Sequence, residues 1–155
     1  MAGQEQVEFD PPIQGGVVVG YDGSAASSTA LTWALEEARL RALPLHAVRA
    51  WKLSTAIAET GVPFGTVPSL AECEEAVTQS LDKALGELDE PDEGGVTVAR
   101  HVVHGSGAHV LLAAGEVADL LVVGRRGAGG FSGLRIGSVA EQVARHARCT
   151  VVVVR

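Results

Sequence analysis

The chain has 155 residues, a formal net charge of −7 and two cysteines. This length suits one domain with a sizeable core, and the acidic balance disfavours non-specific binding to nucleic acid or to anionic membranes. Cys73 and Cys149 lack the spacing of a disulfide framework or a zinc site. No apolar run reaches membrane-spanning length, and the first ten residues do not resemble a signal peptide. We expect a cytoplasmic protein with a flexible tail over residues 1–14 and one domain over residues 15–155.

The first third of the domain has the pattern of a βαβ unit. The β-branched run "VVVG" predicts a buried strand that ends in the turn "YDGS". Residues 24–42 repeat alanine and leucine at the helical period, and "LHAVRAW" at residues 45–51 predicts the second strand.

Residues 52–68 contain two glycines, two prolines and no convincing period, which predicts a long irregular segment able to act as a mobile flap. A second helix is predicted to begin at Ser69, where Ser69 and Glu72 have the spacing of a capping box.

The rest of the chain continues to alternate. Strands are predicted at residues 96–103, 119–124 and 149–154, with helices at 108–118 and 138–147. Five strands alternating with four helices predict an α/β fold, in which helices cover both faces of a mainly parallel sheet.

The stretch "GRRGAGGFSGLRIGS", Gly124 to Ser138, holds six glycines and three arginines directly after the fourth strand. In open α/β sheets ligands bind beyond the carboxyl ends of strands. Glycines there let backbone N–H groups converge on an anion, and the next helix adds its free N–H groups and positive dipole end. A capping box between Ser138 and Glu141 is the structural alternative. It does not account for the glycines and arginines, so we favour a phosphate site. The spacing fits neither a P-loop nor a glycine fingerprint after the first strand.

The spacing Gly124-x2-Gly127-x9-Gly137-Ser138 resembles the G-x2-G-x9-G-[ST] signature of the universal stress protein family, in its ATP-binding branch. "VVVGYDGS" and "LHAVRAW" are also similar to that family, and the likeness covers nearly all of residues 16–155, with residues 52–68 outside it. The resemblance implies a Rossmann-like three-layer sandwich, like that of the adenine nucleotide alpha hydrolases, with a five-stranded sheet in the order 3-2-1-4-5.

The resemblance also implies a set of contacts to ATP, with Mg²⁺ as the expected accompanying ion. Gly20, Tyr21 and Asp22 match the segment beside adenine and ribose, and Ala47 matches an adenine contact on the second strand. The ribose and phosphate contacts match Gly124, Arg126, Gly127, Gly137, Ser138, Val139 and Ala140. Asp22 has three possible roles: to accept hydrogen bonds from ribose hydroxyls, to help bind a metal ion, or only to form the turn. The other metal ligands are left unassigned. Ala140 lacks the hydroxyl of many members. Arg125 and Arg135 have no assigned role, and Gly129, Gly130 and Gly133 are expected to give the loop freedom to close.

No pattern predicts a catalytic centre. The five histidines do not form a zinc motif, and His101 and His104 are expected on opposite faces of a strand. We expect Glu141 to cap its helix rather than act as a base. The family likeness implies a nucleotide-dependent regulator of the stress response, with at most slow ATP hydrolysis.

Three alternatives remain open. One is a cyclic AMP-binding member of the same family. Another is an adenylating enzyme, because "YDGSAASS" loosely resembles the loop of ATP pyrophosphatases, and pyrophosphate release would identify it. The third is a nucleotide-free interaction module.

The last strand is expected at the edge of the sheet, where an apolar run invites pairing. Residues 149–155 therefore predict a homodimer, as is common in the family.

Overall fold

The computed structural model of the protein describes residues 6–88, 95–127 and 136–155. Within these residues the chain forms five strands and five helices. In chain order they are β1 (Val17–Gly20), α1 (Ala25–Arg41), β2 (Leu45–Trp51), α2 (Leu53–Thr60), α3 (Leu70–Gly86), β3 (Val98–His104), α4 (Gly107–Gly115), β4 (Leu120–Gly124), α5 (Ser138–His146) and β5 (Thr150–Val154).

The strands form one parallel sheet in the order β3-β2-β1-β4-β5. The predicted α/β fold and strand order are confirmed. Strand β1 has β2 on one side and β4 on the other, so the order reverses there. At such a point the loops after β1 and β4 diverge and leave a crevice at the carboxyl edge of the sheet.

Two helical layers cover the sheet. Alternate strand residues face opposite layers: Val17 and Val19 pack with α1 and with Leu81 of α3, whereas Val18 packs with α4 and α5. Both faces of the central strands are therefore buried from water, which explains their continuous apolar runs.

The second predicted helix starts where its capping box places it. The Ser69 hydroxyl accepts from the Glu72 N–H at 3.2 Å, and the Glu72 carboxylate accepts from the Ser69 N–H at 2.7 Å. The Ser69 backbone N–H, and after it the Ser69 side chain, stabilise the charged Glu72 carboxylate and lower its pKa.

The prediction of an irregular segment over residues 52–68 is wrong in its first half, which forms α2. The helix has eight residues, and Ala56 is the one that is fully buried, so its apolar stripe is too short to stand out in the sequence. Tertiary packing stabilises it: Ala56 lies in a cluster with Trp51, Cys73 and Val77.

Part of the expected N-terminal tail packs against the sheet. Val7, Phe9 and Ile13 contact the core layer that holds α4 and α5, and Ile13 is 5% exposed. The ring of Phe9 also meets the His101 ring on β3 edge-on, with centroids 5.7 Å apart.

Candidate functional site

A cavity of about 600 Å³ opens at the carboxyl edge of the sheet, between the ends of β1, β2 and β4. It is lined by all of the predicted site residues except Ala47. These are Gly20, Tyr21, Asp22, Gly124, Arg126, Gly127, Gly137, Ser138, Val139 and Ala140. The fold thus brings together two segments that are a hundred residues apart in the sequence.

Ala47 lies outside the cavity. It is fully buried in the layer with α1 and α3, and the next residue, Val48, lines the cavity instead. Successive side chains along a strand point to opposite faces of the sheet. A shift of one residue in the strand's position therefore decides whether Ala47 or Val48 lines the cavity.

Glycines at the end of the cavity formed by β4 and α5 permit close approaches between elements. A Cβ on Gly124 would lie 2.8 Å from the Ala26 carbonyl carbon at the start of α1. A Cβ on Gly127 would lie 2.8 Å from Asp22 Oδ2, and one on Gly137 would lie 3.3 Å from the Gly127 backbone nitrogen. The loop after β4 is therefore held against both the loop after β1 and the beginning of α5.

The predicted capping box at Ser138 does not form. The N-cap of α5 is Gly137, which has no side chain to cap with, and Ser138 is the first residue inside the helix. Glu141 instead pairs with Arg145, with Glu141 Oε1 3.0 Å from Arg145 Nη2. Within the described part of the chain no side chain caps this helix. Its first N–H groups and positive dipole end face the cavity and are available to an anion.

Asp22 has a structural role as well as a place in the cavity. Its Oδ1 accepts from the Ser24 N–H at 2.9 Å, and Ser24 in turn caps α1. Its other oxygen faces the Gly127 backbone, as the 2.8 Å approach to the Gly127 Cβ position shows. The turn therefore holds the Asp22 carboxylate at the switch point, where it could accept a hydrogen bond from a ribose hydroxyl or coordinate a cation.

The two described loop arginines differ. Arg126 lines the cavity, and its buried Nε has no hydrogen-bond partner among the described residues. Arg125 acts through its backbone: its N–H donates to the Val154 carbonyl at 2.8 Å and its carbonyl accepts from the Gly137 N–H at 2.6 Å. Arg135, Gly129, Gly130 and Gly133 lie outside the described residues.

No residue of the wall formed by the end of β2 and by α2 was among the predicted contacts. The wall contributes Arg49, Trp51, Lys52, Thr55 and Glu59. One signal was present in the sequence, because an arginine inside the apolar run "LHAVRAW" is unusual for a buried strand. Arg49 is 4% exposed and forms an ion pair with Glu59. The rest of this wall depends on α2, whose eight residues lie in a segment predicted to be irregular.

The histidines take structural positions. His46 and His101 are both buried, with His46 Nδ1 2.9 Å from His101 Nε2. Burial lowers the pKa of His46. Burial and the neighbouring His46 together lower the pKa of His101 to about 4. Neither ring lines the cavity. A search of the described residues finds no cluster of three or more His, Cys, Asp or Glu side chains that could hold a metal ion.

The fold and this cavity define an α/β protein with a glycine-lined crevice at the switch point of a five-stranded parallel sheet. The model of the universal stress protein family matches residues 16–155, and the chain belongs to that family.

Known relatives agree with this assignment. The chain is 38% identical over 144 residues to the universal stress protein Rv2623 of Mycobacterium tuberculosis, an alignment that covers 93% of this chain and 46% of the relative. The chain thus spans about half the length of the curated relatives it matches.

Solved structures resemble it over most of its length. A universal stress protein from Burkholderia pseudomallei is 28% identical with a TM-score of 0.62, covering 89% of this chain and 93% of that one. A universal stress protein solved in complex with cAMP is 27% identical with a TM-score of 0.57, covering 92% of this chain and 98% of that one. In the part of the chain that the structure describes, no helix is long and apolar enough to cross a membrane.

Proposed function

We propose that this protein binds ATP in the cavity and acts as a nucleotide-dependent regulator of the stress response in the cytoplasm. The observation that carries the proposal is the beginning of α5. It has no side-chain cap among the described residues, and it faces the cavity beside Gly127 and Arg126. Backbone N–H groups, a helix dipole and a guanidinium together suit a chain of phosphates.

Asp22 fits the expected Mg²⁺. Nucleotide-bound Mg²⁺ is usually held by one or two carboxylates together with the phosphates. Asp22 and Glu59 are the carboxylates among the described cavity-lining residues, and Asp22 is the one that lies beside Gly127. Asp22 would thus supply the protein's ligand to a magnesium ion that arrives with the nucleotide.

We propose that hydrolysis is at most slow. Rapid phosphoryl transfer requires a positioned nucleophile and cations that stabilise the developing charge. At the phosphate end the described residues supply Arg126 and backbone groups, and the nearby Glu141 is engaged with Arg145.

The experiment is an equilibrium titration of the purified protein with ATP in the presence of Mg²⁺. We expect saturable binding at or below millimolar ATP. Gly137→Ala should weaken it, because the new methyl group would lie 3.3 Å from the Gly127 nitrogen. Gly86→Ala is the matched control, because nothing lies within 4 Å of its added Cβ and the residue is outside the cavity. No saturable binding by the wild type would refute the proposal.

Cyclic AMP is the second candidate ligand, and the cAMP complex of a relative 27% identical to this chain favours it. Cyclic AMP carries one phosphate and would leave part of the arginine-bearing loop without a partner. We therefore expect ATP to displace cyclic AMP in a competition titration, and the reverse preference would assign the site to the cyclic nucleotide.

We further propose that two copies pair through residues 149–155. β5 is an edge strand, and the side chains of Val151 to Val154 are only partly buried within one chain. An antiparallel contact between two such edges would remove both of them from solvent.

A further inference from the structure

Arg49 is a buried cation in the wall of the cavity. Its side chain is 5% exposed, and its guanidinium lies over the Tyr21 ring, with Cζ 5.6 Å from the ring centroid. One terminal nitrogen donates to Ser80 Oγ at 3.2 Å, and the other pairs with the Glu59 carboxylate. Its Nε has no partner among the described residues.

The elements that carry this ion pair, β2 and α2, are on the side of the cavity away from Gly124 and Gly127. Strand β1 separates β2, which carries Arg49, from β4, which leads into the loop. With neighbouring strands about 4.8 Å apart, the backbones of Arg49 and Gly124 are separated by about 10 Å, while the Arg49 guanidinium lies beside the turn after β1, with Nη1 3.4 Å from the position of a Cβ on Gly23. The described cavity-lining cations are thus divided, with Arg126 at the phosphate end and Arg49 and Lys52 at the other.

Glu59 determines the charge of the second end. Lys52 is exposed, so solvent and salt screen its charge. Arg49 is buried, and a buried guanidinium without a counter-ion attracts any anion that can reach it. Glu59, which keeps 28% of its side chain exposed on α2, supplies that counter-ion.

We propose that Glu59 is a specificity determinant of the nucleotide site. By neutralising Arg49 it leaves one strongly anion-binding end in the cavity. A ligand therefore places its phosphates at the glycine loop and its uncharged base and ribose against β2 and α2. An anion that lacks a nucleobase and a ribose gains no additional binding free energy at the second end. This inference rests on the proposed nucleotide binding and adds how the site selects a nucleotide over a free polyphosphate.

The experiment compares ATP with inorganic tripolyphosphate, titrated by calorimetry into the full chain and its variants. In Glu59→Gln the charge of Arg49 becomes available. We expect tripolyphosphate to bind about tenfold tighter than to the wild type, with a smaller change for ATP. In Arg49→Gln the Glu59 carboxylate is left unpaired, and tripolyphosphate should bind more weakly than to the wild type.

The double variant Arg49→Gln, Glu59→Gln separates charge from structure. It removes both charges, so the ratio of the two affinities should return to within about twofold of the wild type. Glu74→Gln removes one exposed negative charge outside the cavity and should leave the ratio unchanged.

Two results would overturn the inference. The first is that the ratio of ATP affinity to tripolyphosphate affinity in Glu59→Gln equals that of the wild type. If Glu59→Gln does not fold, the same result in Arg49→Gln would count. The other is a double variant whose ratio is altered as much as that of Glu59→Gln, because Glu59 would then act only by holding α2. Wild-type protein that binds tripolyphosphate but not ATP would instead refute the proposed function, while the variants would still report whether Glu59 neutralises Arg49.

Discussion

Acidification should destabilise this protein through its buried histidine pair. His46 Nδ1 and His101 Nε2 are 2.9 Å apart, so one ring must donate a proton to the lone pair of the other. His101 is 2% exposed and His46 is 7% exposed. A proton added to either ring places a charge in this buried site, and a second removes the acceptor and creates two like charges at hydrogen-bonding distance.

The magnitude follows from the pKa of His101. Burial and His46 lower it from 6.5 to about 4, although the Asp10 carboxylate and its backbone partly oppose the shift. Because the folded pKa is below the unfolded one, the unfolded chain binds more protons between these pH values, and stability falls as the pH decreases. At about 1.4 kcal/mol per pKa unit, the full loss from His101 is about 3 kcal/mol, reached below pH 4.

The measurement is urea unfolding at several pH values from 7 to 4.5. His101→Gln keeps a polar partner for His46 but cannot titrate. Its stability should therefore fall less than that of the wild type, by about 2–3 kcal/mol over this range. His104→Gln is the matched control, because His104 is on the same strand and exposed, and it should keep the wild-type dependence. Protonation of carboxylates affects all three proteins and cancels in the comparison.

Identical pH profiles for the wild type and His101→Gln would refute the reasoning, because the buried pair would then not titrate on unfolding. Hydrogen exchange in residues 6–13 provides a second readout. The Phe9 ring packs on His101, so protection of this segment should decrease between pH 6.5 and 4.5 in the wild type.

Three further predictions concern the site, the core and assembly. Gly124→Ala would place a methyl group 2.8 Å from the Ala26 carbonyl carbon. Urea unfolding should show a loss of about 1–3 kcal/mol, with weaker ATP binding, and wild-type values for both would contradict the close approach. Leu81→Ala removes a fully buried side chain and should cost about 2–5 kcal/mol while ATP affinity is kept; a cost below about 1 kcal/mol would mean that the core relaxes around it. Val152→Asp should shift sedimentation towards the 16.0 kDa monomer, whereas Val117→Asp, outside β5 and 47% exposed, should not. A wild-type protein that sediments as a monomer at micromolar concentration would remove the dimer proposal.

The sequence predicted the central strands and most helices because their residues satisfy local rules. Buried parallel strands are continuously apolar, and α1 and α3 have a helical period and side-chain caps. Helix α2 has only eight residues, so its apolar period is short, and the side chain of its N-cap residue, Lys52, makes no capping hydrogen bond. Its one fully buried residue, Ala56, packs with Trp51 just before the helix and with Cys73 and Val77 on α3.

The glycine pattern likewise predicted which segment lies against the loop after β1, because glycine spacing reflects where backbone must approach backbone. It did not determine how α5 begins. Ser138 and Glu141 have the spacing of a capping box, but the Arg125 carbonyl fixes Gly137 at the N-cap, one residue earlier. That hydrogen bond joins residues at the two ends of the loop, so no short sequence pattern predicts it.

The sequence by itself therefore determined the fold class, the strand order through its family likeness, and the two segments that meet at the switch point. Only the tertiary structure decided that Val48 rather than Ala47 lines the cavity, and that Glu59 neutralises Arg49 beneath α2. The physical reason is the distance along the sequence over which each effect acts. Propensity, periodicity and spacing depend on residues close together in the sequence. Which side chain faces the cavity and which charges pair depend on register and packing between separate elements.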